Sequence, residues 1–131
     1  MDVICPYCGK PAKLVTGKEI YSHRLDLYSL KFWQCAPCDA YVGCHRSHHG
    51  TTPLGRLANA ELRAAKSAAH RAFDPIWKYR YMNRSNAYSW LANKLSIPAK
   101  DCHIGMFDVA DCEKVVKVAQ EYMVVKELDL L

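Results

Sequence analysis

A chain of 131 residues, half of them hydrophobic and about a quarter charged, has a globular balance that excludes wholesale disorder and a fibrous repeat. No apolar stretch reaches the roughly 18 residues that cross a bilayer, and no signal-like apolar run precedes Cys5 and Cys8, so a soluble, non-secreted protein is expected. The net charge of +5 is concentrated in residues 56–84, where seven basic side chains face two acidic ones, while residues 85–131 are acidic on balance.

Seven cysteines, an odd number, occur with two Cys-x-x-Cys pairs, a pattern that favours metal thiolates in a reducing compartment such as the cytosol over a disulfide framework. The first pair, Cys5-Pro6-Tyr7-Cys8, is followed by Gly9, which relaxes the backbone of a tight knuckle. Leu14-Val15 and Ile20-Tyr21 flank Thr16-Gly17-Lys18-Glu19 and read as a hairpin. Leu27 to Trp33 reads as a strand entering the second pair, Cys35-Ala36-Pro37-Cys38, and Ala40-Tyr41-Val42 as a strand leaving it. Two knuckles joined by hairpin strands make a zinc ribbon. A treble clef, with a helix after the second knuckle, is the alternative. Four thiolates leave no open coordination position, so Zn2+ held by Cys5, Cys8, Cys35 and Cys38 should organise the fold and not activate water.

The turn-rich stretch from Cys44 to Gly55 reads as a loop. Its Cys44, His45, His48 and His49 could hold a second metal, but no nearby carboxylate completes a set, and solvated loop imidazoles are the plainer reading. From Pro53–Arg56 to about Phe73, Leu54, Leu57, Ala58, Leu62, Ala65, Ala69, Ala72 and Phe73 recur at helical spacing. Arg56, Asn59, Arg63, Lys66, Ser67 and His70 then share the opposite face. Asp74-Pro75 resembles an N-cap with proline at the first helical position, predicting a second helix to about Asn83 that carries Trp77, Tyr79 and Tyr81 among Lys78, Arg80 and Arg84. Ser85 should cap a third helix with Ala87, Trp90, Leu91 and Leu95 inward, ending before Ile97-Pro98. Asp108 and Asp111 form a capping pair for a last helix to about Val125, with Val109, Cys112, Val115, Val116, Ala119 and Met123 on one stripe. Cys102, His103 and Cys112 are read as packing residues.

These elements predict an α+β protein in which a zinc ribbon, residues 1–52, packs against a bundle of about four helices, residues 53–131, as one compact unit. The basic residues Arg56, Arg63, Lys66, Lys78, Arg80 and Arg84 suit phosphates, and the interleaved aromatic rings suit exposed bases. A solvated helix face with aromatic rings in the core explains the same residues nearly as well. Glu61 falls near the apolar stripe and would need a partner if buried, such as His45 or a loop amide.

The motifs Cys5-Pro6-Tyr7-Cys8-Gly9, Trp33-Gln34-Cys35-x-x-Cys38, Val42-Gly43-x-His45 and Pro53-Leu54-Gly55-x-Leu57-Ala58-x-x-Glu61-Leu62-Arg63 carry a family resemblance. Ala69-His70-x-x-Phe73-Asp74-Pro75-x-Trp77, Tyr88-x-Trp90-Leu91-Ala92 and His103-Ile104-Gly105-Met106-Phe107-Asp108 extend it over most of the chain. The sequence resembles the zinc-finger-containing proteins of bacteriophages and prophages. That resemblance implies zinc binding and a phage or prophage origin, hence a bacterial host cytoplasm, and names no activity. It also singles out His45, Glu61, Arg63, His70 and Asp74 as members of one buried polar network, and leaves out Cys44, His48 and His49.

The expectation is a non-enzymatic binding protein with nucleic acid as its partner and neither a membrane nor a small-molecule substrate. The alternative is a phage accessory protein that binds a host protein of the defence or transcription machinery. A metal-dependent nuclease built from His45, His48 or His49 with Glu61 or Asp74 has no recognisable signature in the sequence.

Overall fold

The computed structural model describes residues 2–46 and 50–129 and divides into two compact units, one running up to Glu61 and one from Leu62 onward. The architecture is α+β, with a small N-terminal sheet beside a cysteine cluster, followed by helices.

In the first unit, strands β1 (Lys13–Thr16), β2 (Lys31–Cys35) and β3 (Ala40–Gly43) form an antiparallel sheet in the order β1-β2-β3. Leu14 pairs with Trp33, and Trp33 with Val42. A strand follows the second knuckle, as the ribbon reading requires and a treble clef does not. The hairpin expected at Thr16–Glu19 is absent. Gly17–Ile20 forms a short helix, α1, because Thr16 and Glu19 make a capping pair: the Thr16 backbone N–H and its hydroxyl both donate to Glu19 Oε2. The partner of β1 is therefore β2. A 3-10 turn at Leu25–Leu27 helps return the chain, and Tyr21 packs edge-on against Phe32 and Tyr41, with ring centroids 5.8 and 6.0 Å away.

The helix expected from Pro53 begins only at Ala60. Residues 53–58 run beside β3 through bridges Cys44 to Pro53 and Tyr41 to Ala58, the latter with reciprocal backbone hydrogen bonds of 3.1 and 3.0 Å. The open edge of β3 satisfies these backbone groups, so they have no need of a helix. Leu57 accordingly leaves the expected helical stripe and enters a core with Cys5, Cys35 and Ala40. Arg56 likewise precedes the helix.

Helix α2 spans Ala60–Lys78 and fuses the two helices predicted on either side of Asp74. Asp74 is not a cap. Pro75 sits inside the helix, where it removes one hydrogen bond, but Phe73 and Ile76 on its two sides are fully buried and hold the segment helical. Helix α3 (Arg84–Leu95) is capped by Asn83, not Ser85: the Asn83 side chain accepts the Asn86 N–H at 2.7 Å. It ends at Ser96 in a left-handed conformation, φ 57°, with the Ile97 N–H reaching back to the Ala92 carbonyl. Helix α4 (Val109–Asp129) starts with the reciprocal Asp108–Asp111 pair, at 2.8 and 3.3 Å. Its inward stripe of Cys112, Val115 and Ala119 is fully buried. Phe73 meets Tyr88 at 4.8 Å and Trp90 meets Tyr122 at 5.1 Å between centroids, both edge to face.

Candidate metal centre

Each of the four ligands is placed by a local feature of its knuckle. In the first, Cys5 N–H donates to the Lys10 carbonyl and Gly9 N–H to the Cys5 carbonyl, while an antiparallel bridge between Ile4 and Pro11 closes the base. Gly9 has φ +75°, which a residue with a β-carbon rarely adopts. In the second, Ala36–Cys38 form a 3-10 turn with Pro37 near its start, and Asp39 takes the left-handed conformation at φ 49°. Aspartate tolerates that region better than most side chains. The residue after the second cysteine thus turns left-handed in both knuckles, and only the glycine was conspicuous in sequence.

The four sulfur atoms lie within 4.8 Å of one another, and Cys8 and Cys35 are 3.7 Å apart. A disulfide needs about 2.05 Å. Tetrahedral zinc with bonds of about 2.3 Å has sulfur–sulfur edges of about 3.8 Å, so the Cys8–Cys35 separation matches such an edge and the four sulfurs are close enough together to share one ion. Its acid–base chemistry points the same way. The backbone N–H of Lys10 lowers the Cys8 thiol, while the adjacent Cys35 thiol, followed by desolvation, pushes Cys38 up to about 12. Four sulfurs this close do not all ionise beside one another without a central cation. Cys5, Cys8, Cys35 and Cys38 form a structural Zn2+ site, whose closed coordination supplies folding energy. Cys5, Cys35, Ala40 and Leu57, with Val3, Ala12, Trp33 and Val42 around them, make the metal cage part of this unit's hydrophobic core.

Among the described residues, no other group of three or more His, Cys, Asp or Glu side chains is gathered for a metal. Cys44 is half-buried and its thiol is raised by desolvation. His45 is exposed, its backbone N–H donating to the Thr52 carbonyl, whereas His48 and His49 lie outside the described residues. Cys102 and Cys112 are buried and raised by desolvation, as packing cysteines are. Cys112→Ser is expected to cost about 1 to 3 kcal/mol in a denaturation titration while elemental analysis finds the zinc content unchanged.

The network expected of His45, Glu61, Arg63, His70 and Asp74 is not a buried one: His45, Glu61 and His70 are exposed, and Arg63 and Asp74 are half-buried. Glu61 falls in the first turn of α2, exposed, where its charge complements the helix dipole. His70 Nδ1 contacts both Asp74 carboxylate oxygens at 3.2 Å, one helical turn apart on a surface.

The six basic residues differ in exposure. Arg56 precedes the helix, Arg63 is half-buried near its start, and the Lys66 ammonium turns inward to donate to the Gly105 carbonyl at 2.8 Å. Lys78, Arg80 and Arg84 are exposed and cluster at the corner between α2 and α3. There the Arg84 guanidinium lies 5.5 Å from the Trp77 ring centroid and 4.9 Å from that of Tyr88, and the Lys78 ammonium 5.7 Å from Trp77.

No curated protein and no solved structure matches the chain. A family described as a zinc-finger-containing domain matches residues 1–122, and the four-thiolate cage lies within that span. The chain therefore belongs to the zinc-finger-containing domain family.

Proposed function

We propose that this protein is a non-enzymatic, zinc-organised binding protein of phage or prophage origin, working in the host cytoplasm, and that it holds nucleic acid by the α2–α3 corner. The observation that carries the reading is the exposed cluster of Lys78, Arg80 and Arg84 within seven residues, on a chain whose positive charge is concentrated in the same region. Cations so placed neutralise phosphates and release counterions, a contact that positions without reading sequence. The Trp77 and Tyr88 rings hold the Arg84 guanidinium in place, which lowers the entropy lost when it meets a phosphate. Closed thiolate coordination supports a structural role for the metal and argues against metal-assisted hydrolysis.

The test is a salt titration of affinity for a mixed-sequence duplex and its single strand. Replacing Lys78, Arg80 and Arg84 together by Glu should weaken binding to all sequences alike and shrink the logarithmic salt slope by about 2 to 3 units. The Lys78→Glu, Arg80→Glu double variant leaves the Arg84 stack on Tyr88 intact and should show about two-thirds of that decrease. Unchanged slopes in variants that keep zinc and helical content would defeat the reading. A protein partner is the second reading, favoured by Val124, Val125 and Leu128, which stand exposed on α4 among acidic side chains. It takes first place if neither strand form binds wild type at moderate salt.

A further inference from the structure

The four aromatic residues of the corner are in different states. Trp77 lies beneath two cations, and Tyr88 is half-buried under one of them. Tyr81 packs edge-on against Tyr122, centroids 6.4 Å apart and planes at 86°. Tyr79 alone among them is 75% exposed, and it is in none of the ring pairs found among the described residues. An exposed aromatic ring forgoes the burial that stabilises most of its kind, which makes its position informative.

The backbone holds this ring out in a closed turn. Tyr79 N–H donates to the Pro75 carbonyl at 2.9 Å, Arg80 N–H to Trp77 at 3.2 Å, and Met82 N–H to Ile76 at 3.1 Å. Arg80 adopts φ +63°, a conformation in which glycine would be more stable. The chain accepts that strain and keeps a guanidinium directly after the exposed ring, with the stacked Arg84 four residues beyond.

Resting on the nucleic-acid reading, we infer that the corner selects single strands: Tyr79 stacks on an unpaired base while Arg80 and Arg84 hold the flanking phosphates. In a duplex both faces of every internal base are already stacked, so the ring has nothing to engage and only the phosphate contacts remain. Single-stranded sites elsewhere combine these two elements, and stacking tolerates any base.

The experiment compares wild type, Tyr79→Ala, Tyr79→Trp and Tyr81→Ala on single-stranded DNA of about 20 nucleotides, RNA of the same sequence, and the DNA duplex. Wild type should bind at least one single strand more tightly than the duplex. Tyr79→Ala should lower that affinity about 5- to 150-fold, the range of one stacked base, and leave duplex affinity unchanged. Tyr79→Trp should preserve or raise single-strand affinity, and it gains tryptophan fluorescence that is quenched on binding. Tyr81→Ala, at the packed ring, should have a smaller effect on binding. If Tyr79→Ala binds single strands like wild type while the charge variants weaken binding, the stacking proposal fails and the phosphate reading stands. If wild type binds no strand form, both fail.

Discussion

Native protein is expected to contain one zinc per chain, and chelation is expected to unfold the segment up to Glu61 while much of the helical signal from the later residues persists. Structural zinc in small modules supplies an apparent 10 to 16 kcal/mol, about as much as the whole stability of an ordinary domain. Little in the first unit could replace it. Its buried apolar residues are Cys5, Phe32, Cys35, Ala40, Leu57 and Ala58, and the cluster of Cys5, Cys35, Ala40 and Leu57 is half metal ligands. The sheet contains three strands of four or five residues, too little to stand without a core. The later helices bury Phe73, Ile76, Leu91 and Val115, a core built without any metal ligand. Elemental analysis, circular dichroism and amide exchange across a chelator titration would check this. Cys35→Ser should reproduce the chelated state, because a hydroxyl is a poor ligand for zinc and Cys35 is also buried. Native protein with substoichiometric metal, or amide protection in β1–β3 that survives chelation, would refute the zinc dependence.

Gly17→Ala is the point substitution outside the metal cage expected to cost most. A β-carbon at Gly17 would fall 1.7 Å from the Leu27 carbonyl oxygen and 2.5 Å from its carbon. Both atoms are backbone, so no side-chain rotation relieves the clash, and the two arms of the Gly17–Leu30 segment must separate. That separation breaks the 2.8 Å hydrogen bond from Gly17 N–H to the Leu30 carbonyl and draws Tyr21 from its packing on Phe32 and Tyr41. The expected loss is about 3 kcal/mol or more, at the upper end of overpacking costs. Gly43→Ala is the control, since its β-carbon would meet Leu54 Cδ1 at 3.5 Å, an ordinary contact. Denaturation of zinc-loaded protein should show a large shift for the first variant and a small one for the second. Equal midpoints would mean that Gly17 is not clamped as described.

The metal site was legible in the sequence because a Cys-x-x-Cys pair brings its own local geometry: a tight turn places two sulfurs together whatever surrounds them. The last helix was equally legible, since Asp108, Asp111 and the stripe from Cys112 to Ala119 act within one helix. Thr16-Gly17-Lys18-Glu19 carries two local signals at once, a glycine turn and a Thr-x-x-Glu cap, and the capping hydrogen bonds prevailed. Tertiary structure decided the rest. The periodic apolar residues Leu54 to Leu57 fit a helix, but β3 offered an open row of backbone partners, and Leu57 was taken into the metal-centred core. Pro75 marked a boundary in sequence, yet burial of Phe73 and Ile76 outweighed its missing hydrogen bond. Lys66, read as part of an open basic face, is turned inward because the carbonyl that receives it comes from Gly105, nearly 40 residues away in the chain. Short-range spacing fixes which sulfurs can meet; which cations remain free for a ligand depends on partners that only the folded chain brings near.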